Sequence, residues 1–181
     1  MAEAGPSRKR AASPAAELGV EVVRHDDAWS STPISDDLLA RAARAAFAAV
    51  PTKPAGNYEV AVVLTGDAEM RALNRTWRGK DAPTNVLSVP ADHDVSGPGF
   101  LGDVVLAFET VRNEARDLDI PVENHAAHLA VHGVLHLLGL DHATEAEAER
   151  MEALERSALA SLGIADPYAE KEPAQTAEVP L

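Results

Sequence analysis

Apolar positions in this chain follow two periods, alternation in short runs and a three-to-four-residue recurrence in longer ones, and these divide it into strands and helices. Residues 19–24 alternate toward a first strand. In residues 58–65, Val60, Val62 and Leu64 alternate with smaller side chains and predict a second. Between them, Ser35 can cap a helix running to Val50, with Leu38, Leu39, Ala42, Ala46 and Phe47 on its apolar face and Pro51 as its stop. A helix over residues 67–77 follows, broken by Arg78, Gly79, Lys80 and Asp81. Residues 85–89 form a short strand, 92–99 a loop containing Gly and Pro, 103–108 another strand and 109–118 a helix. Pro121 suits the opening of the next helix, where its missing N–H costs nothing. Thr144 and Glu147 make a capping box for the last helix, which ends near Gly163.

This order predicts one α/β (α+β) domain, a mixed sheet of roughly four strands covered by helices, with the strand order left open. The domain is expected over residues 19–165. Residues 1–18, rich in Ala, Ser, Pro and charge, read as a disordered arm, and residues 166–181 as a disordered acidic tail. The arm's Arg8, Lys9 and Arg10 read as a solvated basic run, with RNA contact as the alternative. No apolar stretch is long enough to span a membrane and no signal peptide opens the chain, so a cytoplasmic protein is expected.

Composition narrows the chemistry. With no cysteine among 181 residues, metal work falls to histidine and carboxylate. A net charge of −13 argues against general attraction to nucleic acid. The charge is uneven, however. Acids crowd the last helix and the tail, Glu152 and Glu155 among them, whereas Arg71, Arg75, Arg78 and Lys80 fall in a stretch without any acid. Such a local patch can steer RNA on a globally acidic protein.

The densest chemistry lies at His132, His136, Gly139 and His142. On a helix, His132 and His136 share one face a turn apart. Gly139 can end that helix and let the chain return His142 to the same point. Three imidazoles with an open fourth position describe a catalytic zinc site with one ion per chain, although nickel or copper would suit the donors too. The alternative is that the histidines are satisfied core residues among Leu129, Val131, Val134, Leu135, Leu137 and Leu138. The same spacing occurs in zinc peptidases, where a Glu after the first histidine is the general base. Here that position is Gly133, which has nothing to accept a proton.

Three segments carry a resemblance beyond the ligand spacing. The run from His128 through His132, His136 and Asp141 to His142, the run from Leu73 through Trp77, Arg78, Gly79, Lys80 and Asn85 to Pro90, and Leu101-Gly102-Asp103-Val104-Val105 together resemble the YbeY family of bacterial rRNA-maturation endoribonucleases. Leu140 and Val89 depart from the family pattern, which usually has aromatics there. The resemblance implies a zinc-dependent endoribonuclease that prefers single strands and acts in 16S rRNA 3′-end maturation and ribosome quality control. The ribosome or its proteins would be partners, with no DNA or membrane. It also implies a functional arginine at Arg78, whose guanidinium can meet two phosphoryl oxygens at once. The competing role for Arg78 is to hold a loop by pairing with Asp81 or Asp103.

Other roles stay open. His128 can be a fourth ligand, a proton shuttle or a hydrogen-bond partner behind the ligands. Asp141 can fix a ligand's tautomer or simply shape the turn. Trp77 can stack on a base or close the end of its helix. His25, His93 and His125 have no spacing argument. The general base is unassigned. Two further functions are carried as alternatives, a metal-dependent hydrolase of the peptidase class and a ribosome assembly factor that does not cut.

Overall fold

The computed structural model describes residues 15–91 and 97–169. Four strands, β1 (Ala16–Arg24), β2 (Gly56–Thr65), β3 (Val86–Pro90) and β4 (Gly99–Ala107), form one mixed sheet in the order β1-β2-β4-β3. β1 and β4 run parallel to β2, and β3 pairs antiparallel with β4. Five α-helices accompany them: α1 (Asp36–Ala49), α2 (Asp67–Arg78), α3 (Phe108–Leu118), α4 (Val122–Leu137) and α5 (Glu145–Ser161).

Alternation in the strands assigns the two sheet faces. Tyr58, Val60, Val62 and Leu64 of β2, with Leu101, Val104 and Leu106 of β4, join the main core under α1, α4 and α5. Val63, Val105, Leu87 and Val89 point the other way and pack on Met70 and Leu73 of α2. α4 lies at the centre and is buried on most sides. Its backbone comes close to the sheet at Gly133, whose carbonyl accepts a 3.0 Å hydrogen bond from Ser88 of β3.

Helix ends are set as the sequence suggests. Ser35 accepts from the Leu38 N–H, and Thr144 and Glu147 complete a reciprocal capping box. α2 and α3 instead cap each other. Glu109 accepts the Asp67 N–H at 2.8 Å, and Asp67 accepts the Thr110 N–H at 3.1 Å. This cross-link fixes the start of α2 against the start of α3, and through the helix it fixes where Arg78 emerges.

Several boundaries differ from the predicted ones. β1 begins at Ala16, inside the segment read as an arm, because parallel pairing with β2 extends to Gly56. β4 begins at Gly99 and ends at Ala107, and Phe108 opens α3 and packs edge-on against buried Trp29 at 5.5 Å. A register shift at Glu59/Val60 accommodates Leu101, and Gly102 takes a φ of 134° where a side chain would strike the Val89 carbonyl. α2 runs one residue further, through Arg78. Most of the loop expected at 92–99, and most of the arm and the tail, lie outside the described residues.

Candidate metal centre and cleft

α4 presents His132 and His136 on one face, as their spacing requires. The helix ends where Gly139, at φ 86°, donates to the His136 carbonyl and Leu140 donates to the Leu135 carbonyl. The chain then turns back through Asp141, which accepts the His142 backbone N–H at 2.8 Å. That is the turn-forming role. His142 thereby joins the other two, and the potential ligand atoms of the three histidines all lie within 4.8 Å of one another. The Nε2 atoms of His132 and His136 are 3.0 Å apart.

The other ring nitrogens are occupied by acceptors. His136 Nδ1 donates to the Leu140 carbonyl at 2.9 Å, and His132 Nδ1 donates to Glu155 at 2.7 Å. Both Nε2 atoms are thus left as lone-pair donors facing one point, which is what a cation needs. Burial, then the neighbouring His132, pushes the His136 pKa below its ordinary value, and this favours the neutral ligand form. The three histidines form a group able to hold a metal ion, and the donor set fits one.

Glu155, one of the acids that crowd the last helix, is the functional residue that the sequence did not single out. It is 1% exposed and takes His132 through one oxygen and His128 through the other at 2.8 Å. The Tyr168 hydroxyl also donates to it. Burial alone would push this carboxyl up, but the hydrogen bonds from His128, His132 and Tyr168 outweigh that and hold it at about 2. His128 therefore stands behind the three-histidine cluster. A periodicity signal did exist, since Glu155 falls on the α5 stripe that includes buried Met151, Ala158 and Leu159.

An open cleft of about 540 Å³ leads to the histidines, lined also by Arg78, Lys80, Thr84, Asn85 and Ser88. Gly79, at φ 68°, ends α2 and turns the chain into this wall. Asp81 is held by Arg71 through two 2.8 Å hydrogen bonds, so the expected competitor for Arg78 is already engaged. Among the described residues Asp103, the other expected competitor, makes no ion pair, and neither does Arg78. Asn85 is steadied by Glu114, which also binds His125 at 2.8 Å. His25 pairs with Glu69 at the surface, His93 lies outside the described residues, and Trp77 is 52% exposed at the end of α2.

The comparisons with known proteins agree with this geometry. The model of the family described as endoribonuclease YbeY matches residues 25–163. The chain belongs to the YbeY family. Among curated YbeY relatives, endoribonuclease YbeY of a Bradyrhizobium strain is 48% identical, the match covering 84% of this chain and 93% of the relative. That of Azorhizobium caulinodans is 50% identical, covering 84% of this chain and 97% of the relative. A solution structure of a Thermotoga maritima protein shares the fold at a TM-score of 0.51 and 20% identity, covering 84% of this chain and all of the other. No described helix is long and apolar enough to cross a membrane.

Proposed function

We propose that the cleft is the centre of a zinc-dependent endoribonuclease that cuts single-stranded rRNA. The observation that carries this reading is the convergence of His132, His136 and His142 on the same open cleft as Arg78, which has no ion-pair partner among the described residues. An unpaired guanidinium beside a histidine cluster is what a phosphodiester substrate would neutralise. RNA is the substrate class that fits YbeY membership. The same reading gives it maturation of the 16S rRNA 3′ end and ribosome quality control as tasks, with the ribosome or its proteins as working partners in the cytoplasm.

His132, His136 and His142 would hold the zinc ion, which supplies Lewis acidity at the scissile phosphate when bound. Arg78 would fork onto two non-bridging oxygens and stabilise the negative charge that grows on them during cleavage. Lys80 would add a point charge along the backbone of the strand. Ser88 and Asn85 keep the wall in place, Ser88 by gripping the Gly133 carbonyl and Asn85 through Glu114. The peptidase alternative lacks its base at Gly133, where α4 lies against the sheet.

The test compares wild type with Arg78→Ala on single-stranded rRNA fragments while measuring bound zinc. Losing one charge-stabilising donor should slow cleavage by about 10²–10³-fold with zinc content unchanged. Equal rates in the two proteins would refute Arg78's role. No cleavage by fully zinc-loaded wild type, tested with and without ribosomes, would favour the assembly factor.

A further inference from the structure

The turn after α5 reaches the metal centre from behind. Asp166 accepts the Tyr168 N–H at 2.8 Å, closing an Asx turn that folds Pro167 and Tyr168 back over α5. Arg156 of that helix stacks on the Tyr168 ring at 5.5 Å, and the ring meets His128 edge-on at 5.7 Å. The phenol hydroxyl then donates to the same Glu155 oxygen that receives His128. Glu155 is a pure acceptor at neutral pH and is almost wholly buried, so its three partners must all be donors. Its other oxygen fixes the proton of His132 on Nδ1 and so aims Nε2 into the histidine cluster.

We infer that Glu155 and Tyr168 are positioning residues of the metal centre, Tyr168 orienting Glu155 and Glu155 orienting His132, so that the segment following α5 sets how tightly the ion is held. Neither Glu155 nor Tyr168 lines the cleft. Its output is the orientation and tautomer of one ligand, which determine metal affinity. The tyrosine is the informative member, because it lies 36 residues from His132 and reaches the ligand only through the carboxylate.

The inference rests on the reading of the three histidines as ligands. Its test is zinc affinity, by competition with a chelator, for full-length wild type, Glu155→Gln, Tyr168→Phe and the double variant. Cobalt(II) absorption gives an independent readout of ligand geometry, and the melting point of each metal-free protein reports the fold. Glu155→Gln should weaken zinc binding by about 10–100-fold. Tyr168→Phe should weaken it several-fold and alter the cobalt spectrum while lowering the metal-free melting point only slightly, because His128 and His132 still donate to Glu155. The double variant should bind no more weakly than Glu155→Gln alone, since the hydroxyl acts through the carboxylate. Wild-type affinity in Tyr168→Phe, or additive losses in the double variant, would overturn the inference. Should Glu155→Gln fail to fold, Tyr168→Phe decides it alone, because removing one hydroxyl from a partly exposed ring leaves the core intact. Wild type that binds no zinc would overturn the ligand reading instead, so the two failures are distinguishable.

Discussion

Val104 fills the space that a side chain at position 133 would need. A Cβ on Gly133 would lie 2.4 Å from one Val104 methyl and 3.2 Å from the Ser88 hydroxyl. The position where a zinc peptidase carries its base is thus packed against β4. Gly133→Ala should destabilise the protein by about 1–3 kcal/mol through overpacking, read as a lower urea midpoint. Gly133→Glu should cost more and confer no peptide cleavage, because the carboxylate has no room beside the sheet. A stable Gly133→Glu protein with peptidase activity would show that α4 can lift from the sheet.

Zinc should stabilise the folded state, since His132, His136 and His142 converge only in it. At about 100 times its Kd, zinc adds about 2.7 kcal/mol. At about 2–4 °C per kcal/mol for a chain of this size, the melting point rises by roughly 5–11 °C. A chelator should reverse the rise. In His132→Ala the rise itself should vanish, and the rise is the quantity to compare, because that variant also deprives buried Glu155 of a donor. An unchanged wild-type melting point would argue against a metal centre.

The histidine cluster was legible because it is compressed into eleven residues whose helical spacing and stop signal are local. Glu155 was not, because it sits among exposed acids of α5 and its burial depends on how α5 packs against α4. Tyr168 follows the last periodic element, where neither strand nor helix patterning applies. The fold class followed from periodicity. The β4 boundary did not, because Gly99 and Gly102 carry no apolar signal and the register shift is a property of the pair. The Arg71–Asp81 pair likewise spans a helix end, where helical spacing does not apply, so the sequence pointed only to Arg78 as the partner of Asp81.

Asp103 gives a pH-dependent prediction. It is partly buried on β4, and burial raises its carboxyl above the ordinary 3.8. The native state therefore holds this proton more tightly than the unfolded chain does. Stability from this group is fully present below the unfolded value and is lost as pH rises through the folded one. Asp103→Asn should accordingly raise the urea midpoint at neutral pH and leave it unchanged at a pH well below 3.8. An equal gain at both would assign the effect to the amide's own contacts.

The cleft cations should differ in what they contribute to RNA binding. Each cation that neutralises a phosphate of single-stranded RNA contributes about 0.7 to the slope of log affinity against log salt. Arg78 and Lys80 line the cleft without ion-pair partners among the described residues, whereas Arg71 is already neutralised by Asp81. Lys80→Ala and Arg78→Ala should each flatten the slope by about 0.7, and Arg71→Ala should leave it nearly unchanged. The measurement is anisotropy of a labelled single-stranded RNA over a salt series, with metal removed so that no cleavage intervenes. An equal loss from Arg71→Ala would mean that the strand displaces Asp81, extending its path from the cleft onto the exposed side of α2.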